Sequence, residues 1–108
     1  MKETKGEVVE VRNVPARSRV DIMASILDEV RLSADGLRKT RLMYRCNLSF
    51  RQLKVYLRLL VDKRFLKPVD ADVNSQKVLV YRITDEGRFF LRSYGDMKKS
   101  LNEELLPR

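Results

Sequence analysis

The feature that most constrains the fold of this sequence is a seven-residue passage, Asn47 to Leu53. Asn47 tolerates the left-handed backbone conformation that ends a helix. Ser49 is a preferred residue before a first helical turn, and Gln52 follows three positions later, at the spacing of a capping box. Leu48 and Leu53 are spaced for a hydrophobic staple across the same helix start. The passage therefore predicts that one helix ends, the chain turns within about three residues and another helix begins, which is a helix–turn–helix.

Apolar periodicity around this passage predicts three helices. Ser18 and Asp21 have the spacing of a helix start, and a first helix is predicted over 18–32. A second is predicted over 38–46 and a third over 50–63. The residues expected to point inward are Ile22, Ile26, Leu27 and Val30, then Leu42, Met43 and Cys46, then Phe50, Leu53, Leu57, Leu60 and Val61.

The sequence after the third helix predicts a β-hairpin and a last helix. Two β-prone runs, 65–69 and 78–83, flank a polar tip over 70–77. Pro68 cannot donate to a strand ladder, so the first strand should be short or lie at an edge. Thr84 is expected to cap the final helix. This order of elements predicts a winged helix–turn–helix, an α+β (mainly α) fold, over 18–95.

The two ends of the chain are less sharply patterned. Residues 1–17 are expected to be a mobile arm, or a short strand through Val8, Val9 and Val11. Residues 96–108 are expected to extend the last helix. Tyr94, Met97, Leu101 and Leu105 follow helical spacing there and predict a seam with the same helix of a second subunit. Alternatively, the helix folds back on its own domain or frays after Gly95, since glycine weakens a helix by roughly 1 kcal/mol.

Positive charge is concentrated between Arg38 and Lys67. This stretch holds ten basic residues and one acid, a net charge of +9, whereas the whole chain has +8. In the third helix, Arg51, Lys54 and Arg58 fall on one face. Charge concentrated in this way favours a polyanionic partner, and nucleic acid is the leading candidate.

Composition argues against catalysis. The sequence contains no histidine and one cysteine, so the commonest general base and a zinc site are both missing. Cys46 is expected to be a buried core residue rather than a redox sensor. No glycine-rich phosphate loop, membrane-spanning run or signal peptide is found. We expect a cytoplasmic, nucleoid-associated binding module, not an enzyme, with no cofactor and no small-molecule ligand indicated.

Three spaced segments resemble a known family: Arg38–Phe50, Tyr56–Leu60 and Tyr81–Gly87. They are similar to the archaeal winged-helix family of small predicted transcription regulators, with its Lys-Thr-Arg-Ile-Met-Tyr segment, Asn-Leu-Ser-Tyr turn, Tyr-Leu-x-x-Leu recognition helix and Thr-x-x-Gly helix start. The resemblance covers about residues 18–95. This chain departs from the family in having Arg64 or Phe65 where a glycine usually precedes the wing, in a longer wing connection, and in a short final helix containing Gly95.

The resemblance implies double-stranded DNA binding, and some members dimerise through a C-terminal coiled coil. Together with the basic stretch and the wing, it gives these expected DNA-binding residues: Arg38, Lys39, Thr40, Arg41, Tyr44, Arg45, Asn47, Ser49, Arg51, Lys54, Arg58 and Lys77. Arg51 and Lys54 are expected nearest to base edges and the other cations on phosphates. Tyr44 either binds phosphate or packs in the core.

Three functions remain open at this point. The first is a homodimeric transcription regulator that recognises particular DNA sequences. The second is a nucleoid-type protein that coats DNA without sequence preference. The third is a winged-helix module that binds acidic protein or structured RNA.

Overall fold

The structure, a computed structural model, describes residues 17–105, with side chains described through Asn102. The predicted arm, apart from Arg17, lies outside the described residues, and so does the possible strand through Val8, Val9 and Val11. Within the described chain the elements are α1 (Arg19–Arg31), α2 (Lys39–Cys46), α3 (Phe50–Asp62), β1 (Leu66–Val73), β2 (Gln76–Ile83) and α4 (Asp85–Leu105). The predicted fold class, mainly helical with an antiparallel hairpin, is confirmed.

The first three helices begin and end close to the predicted positions, and Ser18, Asn47 and Ser49 act at their ends as expected. Ser18 caps α1 by accepting a hydrogen bond from the Asp21 backbone N–H at 3.0 Å. Apolar side chains of α1, α2, α3 and both hairpin strands form one core. Its most deeply buried members are Ile26, Leu27, Val30, Leu42, Leu53, Leu60 and Leu66. The predicted inward stripes of α1 and α2 are therefore confirmed, with Met43 partly buried beside the core.

Phe50 was predicted to be buried, and this prediction is wrong: the side chain is 54% exposed. Phe50 is the first residue of α3, and Leu48, before the cap, is buried in the core. Phe50 lies instead beside α2, where the Lys39 ammonium is 5.9 Å from its ring centroid. An aromatic side chain is thereby left on the surface at the start of α3.

The hairpin has longer strands and a shorter tip than predicted. β1 pairs with β2 from Leu66↔Ile83 to Val73↔Gln76, so the tip is Asn74-Ser75 rather than 70–77. Both tip residues have positive φ, 51° and 66°, which is the backbone of a two-residue turn that matches strand twist. Because the turn uses only two residues, the polar residues on either side of it can pair as strands. β1 is an edge strand, as Pro68 predicted, but at eight residues it is not short.

A short extended segment before α2 joins the hairpin to the helices. Leu37 and Tyr81 exchange two backbone hydrogen bonds, of 3.1 and 2.8 Å. Gly36 precedes them with φ +90°, and a Cβ at Gly36 would lie 2.8 Å from the Tyr81 carbonyl oxygen. The bridge fixes the start of α2 against the base of the hairpin.

The corner between α3 and β1 is held by the start of α4. Arg64 takes the left-handed conformation, φ 66°, at the corner where the resembling family usually has glycine. The Thr84 hydroxyl donates to the Arg64 carbonyl oxygen at 2.5 Å and accepts from the Gly87 backbone N–H at 2.9 Å. A Cβ at Gly87 would overlap the Phe65 carbonyl group, so the first turn of α4 passes directly over the corner. Thr84 and Gly87 therefore orient the hairpin relative to α4.

The last helix continues past Gly95, in line with the expected extension over 96–108. α4 has 21 residues and continues through Gly95 to Leu105, so neither a short helix nor fraying at Gly95 is found. The stacked rings of Phe65 and Phe90, 4.9 Å apart, hold its first half against the corner. Residues 96–102 of α4 are exposed, so this part of the helix extends beyond the core.

Candidate nucleic-acid interface

The turn between α2 and α3 has the predicted cap geometry. Asn47 is left-handed, at φ 55° and ψ 53°, and Leu48 N–H donates to the Met43 carbonyl oxygen at 3.1 Å. The Ser49 hydroxyl accepts from the Gln52 backbone N–H at 3.1 Å, and the Gln52 side chain accepts from the Ser49 backbone N–H at 3.0 Å. This complete capping box fixes the first turn of α3 relative to α2.

Arg17 supports the same turn, although no sequence pattern pointed to this contact. Its guanidinium donates to the Cys46 carbonyl oxygen at 2.9 Å and to the Asn47 carbonyl oxygen at 3.2 Å. A cation there complements the carboxyl end of α2. The contact joins residues about 30 positions apart, so no local pattern reveals it.

The outward face of α3 is basic and solvated. Arg51, Lys54 and Arg58 are all exposed, and none forms an ion pair with another residue of the described chain. Lys54 and Arg58 also line a groove of about 340 Å³ between α3 and the base of the hairpin. Three cations of one helix are therefore available to an anionic partner.

The cations and hydroxyls of α2 lie on the other side of the hairpin base. Arg38, Thr40, Arg41 and Tyr44 line an open cleft of about 840 Å³ between α2 and the hairpin. Tyr44 is 84% exposed, so it does not pack in the core. Its hydroxyl is free to meet a phosphate oxygen. Asp70 and Asp72 of β1 line the same cleft, which limits its positive potential on the hairpin side.

Two predicted site residues have acidic neighbours. Arg45 forms an ion pair of 3.2 Å with Glu29 of α1, although both side chains are partly exposed. An exposed pair of this kind contributes only about 0–1 kcal/mol, so a phosphate can compete for Arg45. Lys77, exposed near the hairpin tip, lies opposite Asp72 in the β1–β2 register. Of the predicted α2 cations, Lys39 therefore lines the α3 groove together with Lys54 and Arg58. Arg38 and Arg41 line the other cleft, and Arg45 and Lys77 lie beside carboxylates.

The titratable groups near the turn are structural. Burial raises the pKa of the Cys46 thiol to about 11, and nearby Glu29 raises it further while Arg17 opposes the change. Cys46 is buried in the core, as predicted.

Among residues 17–102, no group of three or more His, Cys, Asp or Glu is placed to hold a metal ion. No helix within the described residues is long and apolar enough to cross a membrane.

A family model described as winged helix–turn–helix matches residues 16–102, most of the chain. The chain belongs to the winged helix–turn–helix family. The expected fold, drawn from the resemblance over 18–95, is confirmed. No curated protein matches the sequence.

Solved winged-helix structures share this architecture at low sequence identity. S. aureus MepR, solved in a complex with DNA, aligns with a TM-score of 0.65 and 12% identity, over 78% of this chain and 68% of MepR. The PcaV transcriptional regulator of Streptomyces coelicolor has a TM-score of 0.65 and 20% identity, over 78% of this chain. The DNA-binding protein Sso10a-2 of Sulfolobus solfataricus has a TM-score of 0.54 and 20% identity, over 85% of this chain and all of Sso10a-2.

This chain spans only part of some larger relatives. It covers 58% of PcaV and 55% of a protein of unknown function from Listeria innocua, which has a TM-score of 0.64 and 12% identity over 77% of this chain. At these identities the comparisons establish the winged-helix fold but not the function.

The predicted dimerisation residues of the winged helix divide into two groups. The Tyr94 hydroxyl donates to the Asp21 carboxylate of α1 in the same chain, and Lys98 adds an ion pair to Asp21 at 3.5 Å. Met97 and Leu101 are about half exposed on the second half of α4. The Leu105 side chain lies outside the described part. Tyr94 therefore has a role within its own domain, whereas Met97 and Leu101 present apolar surface beyond it.

Proposed function

We propose that this protein is a homodimeric, double-stranded-DNA-binding transcription regulator whose α3 enters the major groove. The observation that carries the proposal is the solvated basic face of α3 beside the cations of α2. No carboxylate among the described residues forms an ion pair with Arg51, Lys54 or Arg58. The capping box fixes the first turn of α3. A polyanion with a groove wide enough for a helix matches this surface.

The contacts would divide by their position along α3. Arg51 and Lys54 lie in its N-terminal half, which approaches base edges when a recognition helix enters the groove. Arg58 and the α2 cations, Arg38, Lys39 and Arg41, would bind phosphates, with Thr40 and Tyr44 adding neutral hydrogen bonds. Asn74, Ser75 and Lys77 at the wing tip would reach the neighbouring backbone.

Dimerisation would use the part of α4 that extends beyond the core. Met97 and Leu101 supply exposed apolar side chains at helical spacing, and Leu105 continues the spacing. A seam between two copies of this segment would place two recognition helices on one duplex. Sedimentation of the full chain at micromolar concentration, with and without Met97→Glu, tests the dimer, because a charge in the seam would give monomers.

Salt dependence tests DNA binding directly. If the dimer engages six phosphates, its affinity for a duplex should fall by about three orders of magnitude between roughly 50 and 200 mM salt. Fluorescence anisotropy of a labelled duplex measures this slope. Arg58→Gln should reduce both the affinity and the slope, whereas Arg92→Gln, a matched loss of an exposed cation on α4, should leave both unchanged. A slope near zero, or equal effects of the two variants, contradicts the proposal.

Competition separates the regulator from its alternatives. A regulator prefers particular duplexes by orders of magnitude, whereas a coating protein is displaced equally by any duplex. For a protein- or RNA-binding module, Arg51→Ala and Arg58→Ala would abolish that complex and leave weak duplex binding unaltered.

A further inference from the structure

A valine lies on the exposed face of α3, at the edge of its basic stripe. Arg51, Val55 and Arg58 follow the spacing of one line along the helix, which ends at the acid Asp62. The Val55 side chain is 62% exposed, whereas Leu53 and Leu57, two positions away on either side, are buried in the core. Val55 therefore contributes little to the core of its own domain and faces the same partner as the arginines.

A valine at this position is disfavoured by helix formation and by solvation. Branching at Cβ restricts its rotamers in a helix, and its methyl groups contact water in the free protein. Single exposed apolar residues are common on protein surfaces. This one is distinguished by its place on the face that the proposed function puts in the major groove.

We infer that Val55 is a specificity-determining residue that contacts the 5-methyl group of a thymine in the major groove. This inference rests on the proposed function. Thymine alone among the four bases presents a methyl group at the floor of that groove, and an apolar side chain is its natural neighbour. Arg51 and Arg58, on either side, offer charged hydrogen bonds to guanine or phosphate and cannot make this apolar contact. Val55 thus supplies a preference for thymine that the arginines do not.

Replacing thymine by deoxyuridine tests the inference, because it removes the methyl group and leaves every hydrogen-bonding atom in place. A duplex is first enriched from a random pool by the full-length protein, and each thymine is then replaced singly. At one position per half-site, the wild type should lose about four-fold in affinity, the contribution of one buried methyl group. Val55→Ala, which changes both subunits of the dimer, should bind the thymine duplex about sixteen-fold more weakly than the wild type and should not distinguish thymine from deoxyuridine.

The control is Val20→Ala, which truncates an exposed valine of α1 and should keep the wild-type response to deoxyuridine. Val55→Ala places the best helix former at an exposed position, so folding is not at risk. The inference is overturned if no deoxyuridine weakens wild-type binding, if Val55→Ala retains the loss, or if enrichment yields no preferred sequence. In each of these results duplex binding itself persists, whereas absence of duplex binding at low salt refutes the proposed function.

Discussion

Ser49 is expected to have two separable roles, as the cap of α3 and as part of the surface that faces DNA. Ser49→Ala removes the hydroxyl that accepts from the Gln52 N–H at 3.1 Å and leaves the reciprocal bond from the Gln52 side chain. Loss of an N-cap acceptor costs about 1 kcal/mol of the free energy of unfolding. In a domain of this size, that lowers Tm by about 4 °C.

Ser49→Asp separates the two roles. Aspartate is an equally good N-cap, and its charge is favourable at the N-terminus of α3, so the free energy of unfolding should stay near that of the wild type. The same charge would face phosphates, so duplex affinity should fall by about ten-fold or more at low salt, and less at high salt. Urea unfolding followed by circular dichroism gives the stability, and anisotropy gives the affinity.

Specific results would refute this reasoning. If Ser49→Ala changes the free energy of unfolding by less than about 0.3 kcal/mol, the cap does not stabilise α3 as the geometry requires. If Ser49→Asp destabilises the protein as much as Ser49→Ala does, the hydroxyl acts through something other than the cap. If Ser49→Asp leaves duplex affinity unchanged, Ser49 lies away from the DNA.

Two further predictions concern the contacts of α4. Gly87→Ala should destabilise the protein by about 2 kcal/mol, because its Cβ would overlap the Phe65 carbonyl group. Gly95→Ala should stabilise it by about 0.5–1 kcal/mol, because a Cβ there has nothing within 4 Å. Thermal unfolding of the two variants and the wild type measures both effects. The hydrogen bond from Tyr94 lowers the pKa of Asp21 from 3.8 to about 2. Because this pKa is lower in the folded state, Asp21 contributes stability above its ordinary pKa that is lost as pH falls toward 2. Stability measured over this range should therefore fall less steeply in Asp21→Asn and in Tyr94→Phe than in the wild type, and an unchanged slope in both would contradict the assignment.

The elements that the sequence predicted well are those determined by local chemistry. Ser18, Asn47 and Ser49 act within three or four residues, so the helix boundaries followed from spacing. The hairpin was predicted less well, because a polar run such as 70–77 is compatible with a loop or with paired strands. Only the two-residue turn at Asn74-Ser75 decides between them, and its positive φ angles are not evident from a run of polar residues.

The candidate site shows the same division. Exposure of Arg51, Lys54 and Arg58 followed from the helical period, because the core face of α3 was clear. The exposure of Phe50 could not be predicted in this way, because both its helical position and its hydrophobic side chain favoured the buried face. Arg17 was missed because its partners lie across the fold, at the end of α2. Periodicity predicts which side of a helix a residue lies on, but it does not predict which other element packs against the end of that helix.

The arrangement of acids explains how the basic face can stay open in a protein with 15 carboxylate side chains. The ion pairs among the described residues all use carboxylates of α1: Asp21 with Lys98, Asp28 with Arg31, and Glu29 with Arg45. α3 contains one acid, Asp62, at its last position. Among the described residues, acids are thus paired on α1, and the cations of α3 repel one another with no ion pair to offset that repulsion. An anionic partner would relieve that repulsion and would also form ion pairs with the α3 cations. The separation of acids and bases onto different helices is therefore a stronger argument for DNA than the net charge of +8.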